Sequence, residues 1–155
     1  MKLNHKKFLD NLFAELKKLN IDVSDATLDH LAYQAMSDEE YDELKPKFME
    51  FAELIREPLV GNRRVGVFKL KKSLKYKKYS IGAIELIAPK EGQEVKSGLE
   101  HAEFLLPESL EDFIDRYPDV DWNTRAINRD QFPMLILQLA EHMQVKFPRF
   151  PILSD

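Results

Sequence analysis

The sequence predicts an α+β fold in which the same βαβββ order of elements occurs twice, after an extra N-terminal helix. Residues 27–90 show the pattern of a strand, a helix and three strands. Residues 98–150 repeat this order, with the segment around Trp122 left unassigned. The chain has 155 residues, which is the size of one domain with a substantial core. We therefore expect a single domain over 1–155, with the extra helix inside residues 1–24.

The extra helix is predicted from apolar residues at helical spacing between residues 5 and 20, with Asn20 as its end. These residues are Phe8, Leu9, Leu12, Phe13, Leu16 and Leu19. The pattern is typical of an amphipathic helix that packs one face on the rest of a domain.

The first βαβββ unit begins with the strand TLDHLAYQAM. Ser37 and Glu40 then match a capping box, which predicts a helix that continues to Phe51. Pro46 lies inside this helix and is expected to kink it or split it, because proline cannot donate the backbone hydrogen bond of a helix interior.

The pair Gly61-Asn62 predicts a hairpin turn between LIREPLV and RRVGVFKL, since glycine readily adopts the positive φ of a tight turn. A lysine-rich connector, KKSLKYKKY, is expected to lead into the strand SIGAIELIAP. Its lysines favour a solvated edge, or alternatively a surface that steers an anionic substrate. Arg63 and Arg64, beside the turn, are candidates for binding a carboxylate.

The second unit begins with the apolar strand GLEHAEFLLP, which carries three ionisable residues. LEDFIDRY has one apolar helical face, and FPMLILQLA and MQVKFPRF are predicted strands joined by a turn around Glu141-His142. The two units therefore share one order of elements.

Composition excludes several classes of protein. The formal net charge of −4 argues against a dedicated nucleic-acid binder, and no apolar run reaches the 18 or so residues that cross a membrane. The absence of cysteine excludes disulfides, thiolate metal sites and a cysteine nucleophile. The N-terminus lacks the continuous apolar core of a signal peptide, so we expect a cytoplasmic protein.

Three strands each carry one good metal ligand in an apolar setting: His30, Glu85 and His101. Strand alternation places His30 on one face with Leu28, Ala32 and Gln34. It places His101 with Glu103 and Leu105. Glu85 is the only charged residue within SIGAIELIAP.

Two imidazoles and a carboxylate suit Zn²⁺, Fe²⁺, Mn²⁺, Co²⁺ or Ni²⁺ and leave coordination positions open for water or substrate. Such a site polarises a carbonyl or holds an enediolate. Taken singly, a strand histidine is more often a hydrogen-bonded core residue, and a lone glutamate often pairs with lysine. The sequence pattern alone leaves both interpretations open.

The segments LDHLAYQA, GNRRVGVFKL, SIGAIELIAPK, GLEHAEFLLP and VKFP, in this order, resemble the YecM family over roughly residues 27–148. Members of that family belong to the vicinal-oxygen-chelate group, with glyoxalase I and methylmalonyl-CoA epimerase as relatives. The resemblance implies two βαβββ modules that form an open cupped barrel around a divalent metal. It places ligands on the first and last strands of a module, which correspond here to His30, Glu85 and His101.

The resemblance also implies a fourth ligand on the closing strand, where this sequence has Lys146 and Pro148. Neither is a usual metal ligand. Glu103 is then a candidate for a substitute ligand, for a residue behind the ligands or for the catalytic base. Gln34 and Lys69 are candidate substrate-binding residues, whereas Glu100, on the packing side of its strand, is expected to be an edge residue.

Two functions follow from this reading. The first is an enzyme that chelates adjacent oxygens of a small-molecule substrate, for isomerisation, lyase chemistry or oxygenation. The second is a non-catalytic module that binds a small ligand or a protein partner with the same fold. No nucleic acid or membrane partner is expected, and a homodimer is an open alternative to a monomer.

Overall fold

The computed structural model describes residues 1–154, and this part of the chain contains three helices and eight strands. In chain order they are α1 (His5–Lys18), β1 (Thr27–Gln34), α2 (Asp38–Phe51), β2 (Ala52–Arg56), β3 (Leu59–Val60), β4 (Arg63–Tyr76), β5 (Tyr79–Ile87), β6 (Gly98–Leu105), α3 (Leu110–Arg116), β7 (Met134–Ala140) and β8 (Met143–Pro148). The predicted α+β class is confirmed. No helix within residues 1–154 is long and apolar enough to cross a membrane.

The strands form one open, cupped sheet in the order β2-β4-β5-β1-β6-β8-β7, and β3 pairs with β4 outside this path. β1 runs parallel to β5, and β6 runs parallel to β8, whereas β1 and β6 pair antiparallel at the middle. The sheet therefore has two related halves. We define the first half as β1, α2 and β2 to β5, and the second half as β6, α3, β7 and β8.

The helices cover the outer face of the sheet, and most of the apolar core lies beneath them. α1 and α3 pack on one large cluster that includes Leu12, Phe104 and Phe113. α2 packs on a second cluster around Phe48 and Phe68. Full burial of such side chains contributes about 1.5–3 kcal/mol each, so the outer face carries most of the stabilisation of the fold.

The inner face of the sheet holds a smaller apolar patch and a buried polar group. The patch consists of Ala32, Val65, Val67, Ala83, Ile87 and Ile152. Small and β-branched side chains leave room above this face, which is where the candidate site lies.

Two expectations need correction: that Pro46 splits its helix, and that the lysine-rich segment is a connector. Ser37 accepts a hydrogen bond from the Glu40 amide, as predicted, but α2 is one helix from Asp38 to Phe51 that is not split at Pro46. The lysine-rich residues belong mostly to β4, which continues to Tyr76. The strand persists because Leu74 pairs with β5 and packs on the core while the lysines remain at the surface.

The hairpin at Gly61-Asn62 joins β3 and β4, and both turn residues have positive φ, 59° and 66°. This is the geometry of the two-residue turn that matches strand twist. In the second half, the unassigned segment around Trp122 contributes only a single bridge, from Asn123 to Ile136. That bridge extends the edge at the position that β2 occupies in the first half.

Candidate metal centre

Four buried side chains meet on the inner face: His30, Glu85, His101 and Glu103. One potential ligand atom from each lies within 4.8 Å of the others. The residues are between 1% and 5% exposed, so water reaches them poorly. Ionisable groups at this depth are stable only when they are paired with one another or bound to a metal.

Each carboxylate lies between the two imidazole rings. Glu85 Oε1 is 2.8 Å from His30 Nε2 and 3.6 Å from His101 Nε2. Glu103 Oε2 is 3.0 Å from His30 Nε2 and 2.9 Å from His101 Nε2. The two Nε2 atoms and the two carboxylates therefore surround one point.

The pairing of the three central strands explains this convergence. On the β1–β6 ladder, His30 lies opposite Glu103 and Ala32 lies opposite His101. Ala32 also pairs with Glu85 on the other side of β1. Because Ala32 is small, it leaves space at the centre of the group.

An acidic residue precedes each histidine and contacts the other nitrogen of its ring. Asp29 Oδ2 is 2.7 Å from His30 Nδ1, and Glu100 is hydrogen-bonded to His101 Nδ1. A carboxylate accepts hydrogen bonds, so each Nδ1 carries the proton and each Nε2 faces the centre. Sequence reasoning missed both contacts, although the Asp-His and Glu-His pairs are visible in the sequence.

Two β-bulges account for this error. The β1–β6 register skips Asp29 on one strand and Glu100 on the other, so each residue is an extra one in its ladder. The bulge brings Glu100 beside His101, and the prediction of an edge residue is wrong. The other bulge, at Asp29, reverses the alternation before His30, so that Leu28 packs in the outer core and not on the histidine's face.

Charge pairing dominates the protonation of His30. Burial opposes its positive charge, but the carboxylates of Glu103 and Glu85 and the hydrogen bond with Asp29 raise the pKa of His30 well above its usual value. Burial also opposes the charge on the two glutamates. Their contacts with the histidines nevertheless hold the pKa of Glu85 low and that of Glu103 well below its usual range.

His101 follows the same balance in the second half. Burial and the positive charge of Lys146 oppose its protonation, whereas Glu100 and Glu103 raise the pKa of His101 to about 9. Burial likewise opposes the charge on Glu100, but the adjacent imidazolium lowers the pKa of Glu100 to about 2.

The donor set fits a divalent cation. Two imidazole nitrogens and two carboxylates are common ligands of first-row divalent metals, and ligating histidines usually donate their second nitrogen to an acid. The two histidines are surrounded by four carboxylates. A divalent cation can therefore replace the two imidazolium protons at Nε2 without a change in the net charge of the group.

The two residues predicted to bind substrate lie in different places. Gln34 is buried, and its Nε2 donates to the carbonyl oxygens of Ala35, at 2.9 Å, and Ile87, at 3.2 Å. It also lines a cavity on the inner face. Lys69 is exposed and lies opposite Glu53 in the β2–β4 ladder. It lies outside the cavities that reach the four-residue group.

The segment after β8 crosses the other side of the centre. Ile152 fills the inner apolar patch, its N–H donates to Asp29 Oδ2 at 3.0 Å, and its carbonyl accepts from Arg56. This contact had no signal in the sequence, because nothing in a short Pro-Ile-Leu segment indicates which distant patch it covers.

Solved structures with the same fold include proteins with little sequence identity to this chain. A variant of Streptomyces coelicolor methylmalonyl-CoA epimerase, in complex with 2-nitronate-propionyl-CoA, is similar over 85% of this chain and 99% of that one, with a TM-score of 0.58 and 14% identity. A hypothetical protein from Bacillus halodurans C-125 is similar over the same shares, with a TM-score of 0.56 and 12% identity. These likenesses and the paired halves define the vicinal-oxygen-chelate class of fold.

Within that class, the family model described as YecM protein matches residues 1–149, and the chain belongs to this family. The structural-genomics protein EC4020 is similar over 94% of this chain and 84% of that one, with a TM-score of 0.77 and 21% identity. An uncharacterised protein of Haemophilus influenzae is 27% identical over 104 residues, which are 64% of this chain and 54% of that protein. The chain thus matches about half the length of this curated relative.

Proposed function

We propose that the protein binds one divalent metal ion through His30, Glu85, His101 and Glu103 and acts on a small molecule with adjacent oxygens. The observation that carries this proposal is the convergence of four buried ligand atoms within 4.8 Å of one another. The fold of the epimerase solved with 2-nitronate-propionyl-CoA supports a small-molecule substrate. Zn²⁺, Mn²⁺, Fe²⁺, Ni²⁺ and Co²⁺ all suit the donor set.

The residues around the centre have separate roles in this proposal. The acids behind the histidines, Asp29 and Glu100, hold the rings so that Nε2 faces the centre. A bound metal supplies Lewis-acid polarisation of a substrate oxygen. Glu103 completes the donor set. We also assign the transfer of a proton to Glu103, because it is the one member of the four-residue group that lines both cavities reaching the centre.

The metal content of the untagged protein tests this function. We expect one equivalent of a divalent metal by mass spectrometry in the wild type, and its loss in His101→Ala. His142→Ala is the matched control, since His142 is exposed in the turn between β7 and β8 and should leave the metal in place. Protein that takes up none of the five metals would contradict the proposal.

A non-catalytic binding module is the second candidate. It is favoured by the segment around Ile152, which covers one side of the centre and fills the inner apolar patch. Metal-loaded protein in D₂O, incubated with methylmalonyl-CoA, separates the two candidates. Exchange of the proton beside the carbonyl that requires Glu103 supports an enzyme, and tight binding without exchange supports the module.

A further inference from the structure

A cavity of about 400 Å³ opens on the inner face next to the four-residue group. Its lining includes two acidic residues, Glu94 and Glu100, and is dominated by five positive side chains. They are Arg63, Lys90, Lys96, Arg129 and Lys146. Three of them, Arg63, Arg129 and Lys146, also line a narrow space that touches Glu85, His101 and Glu103. Positive charge therefore lies along the path from solvent to the centre.

These cations are not consumed by ion pairs. Within residues 1–154, Arg63, Lys90, Arg129 and Lys146 have no carboxylate within 4.0 Å. The neighbouring Arg64, in contrast, does pair with carboxylates.

Arg64 binds Asp42 at 2.6 Å and lies 3.7 Å from Asp38. The two carboxylates whose charge acts on Arg63, those of Glu85 and Glu100, are instead hydrogen-bonded to the histidines.

Arg63 carries an unused donor. Its Nε is buried, and among the side chains of residues 1–154 it is the one buried polar atom with no hydrogen-bond partner. A buried donor without an acceptor costs about 1–3 kcal/mol. The Arg63 side chain lines the cavity, and its planar guanidinium matches the two oxygens of a carboxylate or phosphate.

The positive charges around the cavity act on one another. Arg63 is the largest cause of a lowered pKa at Lys90, with burial, Arg129 and Lys146 adding to it. The Lys90 side chain lies against the turn, and its Cε would be 3.4 Å from a Cβ at Gly61. Cations that are close together and unpaired attract an anion into the cavity.

We propose that this cavity binds the oxyanion group of the substrate, a carboxylate or a phosphate, beside the metal centre. The substrate is then a small organic acid whose other oxygens reach the metal, an assignment that rests on the proposed function. Arg63, Arg129 and Lys146 all line both the cavity and the narrow space at the centre. Because Arg129 Nε already donates to the carbonyl oxygen of Phe132, we assign specificity to Arg63 and Lys146.

Calorimetric titration with malonate and with inorganic phosphate tests this site, on both metal-loaded and EDTA-treated protein. The EDTA-treated arm removes direct binding of the probe to metal. We expect Arg63→Gln and Lys146→Gln to weaken binding at least about tenfold, as befits loss of a charged hydrogen bond. Arg63→Lys should retain part of the affinity. A preference for malonate identifies a carboxylate, and a preference for phosphate identifies a phosphate ester.

Lys72→Gln is the matched control, since it removes one positive charge from an exposed position of β4 outside the cavity. Equal affinity of the wild type, Arg63→Gln and Lys146→Gln for both probes overturns the proposal, as does an equal loss in Lys72→Gln. Metal content and melting temperature are measured on the same samples. Retained metal with unchanged probe affinity refutes the oxyanion site alone, whereas a wild type that takes up none of the five metals refutes the proposed function.

Discussion

The two halves of the sheet have related backbone pairing but place the glutamate of the four-residue group on different strands. In the first half, Ala32 on β1 lies opposite Glu85 on β5. In the second half, Glu103 on β6 lies opposite Lys146 on β8. The acid is on the closing strand of one half and on the opening strand of the other.

The different placement of the two glutamates shows how two halves with related backbone pairing can surround the centre with different charges. His30 and His101 occupy equivalent positions, two residues before Ala32 and Glu103. Each half therefore contributes one histidine and one glutamate to the centre. Because Glu103 supplies the second acid from the opening strand, Lys146 is free to present a positive charge to the cavity. The asymmetry gives the centre a cationic side.

The largest expected effect comes from removing the relocated acid. Glu103→Ala should weaken metal binding by more than about 100-fold, since changes to residues behind the ligands already cost about 10–100-fold. Adding Lys146→Glu to this variant makes the second half copy the first and should restore most of the affinity. Competition with a chromogenic chelator measures both. A double variant that binds no better than Glu103→Ala would show that the two positions are not equivalent.

A smaller effect is expected at the two acids behind the histidines. Asp29→Ala and Glu100→Ala should each lower metal affinity about 10–100-fold. Asp29 also accepts from the Ile152 amide, so Asp29→Ala should destabilise the fold by about 1 kcal/mol more than Glu100→Ala. Chelator competition and urea unfolding measure the two quantities, and Asp29→Asn, which keeps an acceptor, is the control. Equal losses of stability would mean that the Ile152 contact contributes nothing.

Above pH 10, Tyr41 of the first half should lose its contribution to stability. Burial and a 2.6 Å hydrogen bond to Glu57 raise the pKa of Tyr41 above its usual value near 10. The stability that this shift provides is complete below pH 10 and is lost as the pH rises, by up to about 1.4 kcal/mol per pH unit for one proton. Urea unfolding at pH 8, 10 and 11 should show a smaller loss in Tyr41→Phe. Parallel curves for the two proteins would contradict this account.

Strand alternation was enough to select the inner-face residues, because regular strands direct every second side chain to one face. His30, Glu85, His101 and Glu103 could be named from their places in apolar runs, and the structure brings them together. Most of the order of helices and strands was equally accessible, since it depends on local periodicity. The exceptions are the predicted strand LIREPLV, which is divided between β2 and β3, and the segment around Trp122, which forms a single bridge.

Alternation failed where the ladder is irregular. Asp29 and Glu100 are extra residues in the β1–β6 pairing, and a bulge depends on the partner strand as well as on the residue itself. The extension of β4 through the lysine-rich segment also depended on a partner, because Leu74 is stabilised by its pairing with β5. No local sequence pattern indicates either of these strand pairings.

The sequence by itself determined the α+β class, most of the order of elements and the ionisable residues embedded in apolar strands, because these follow from local periodicity. Tertiary structure alone decided that four of those residues surround one point, that an acid supports each histidine and that Ile152 covers one side. It also decided that Arg63 and Lys146 line one cavity. These features depend on distances between residues far apart in the chain, which only strand pairing and packing define.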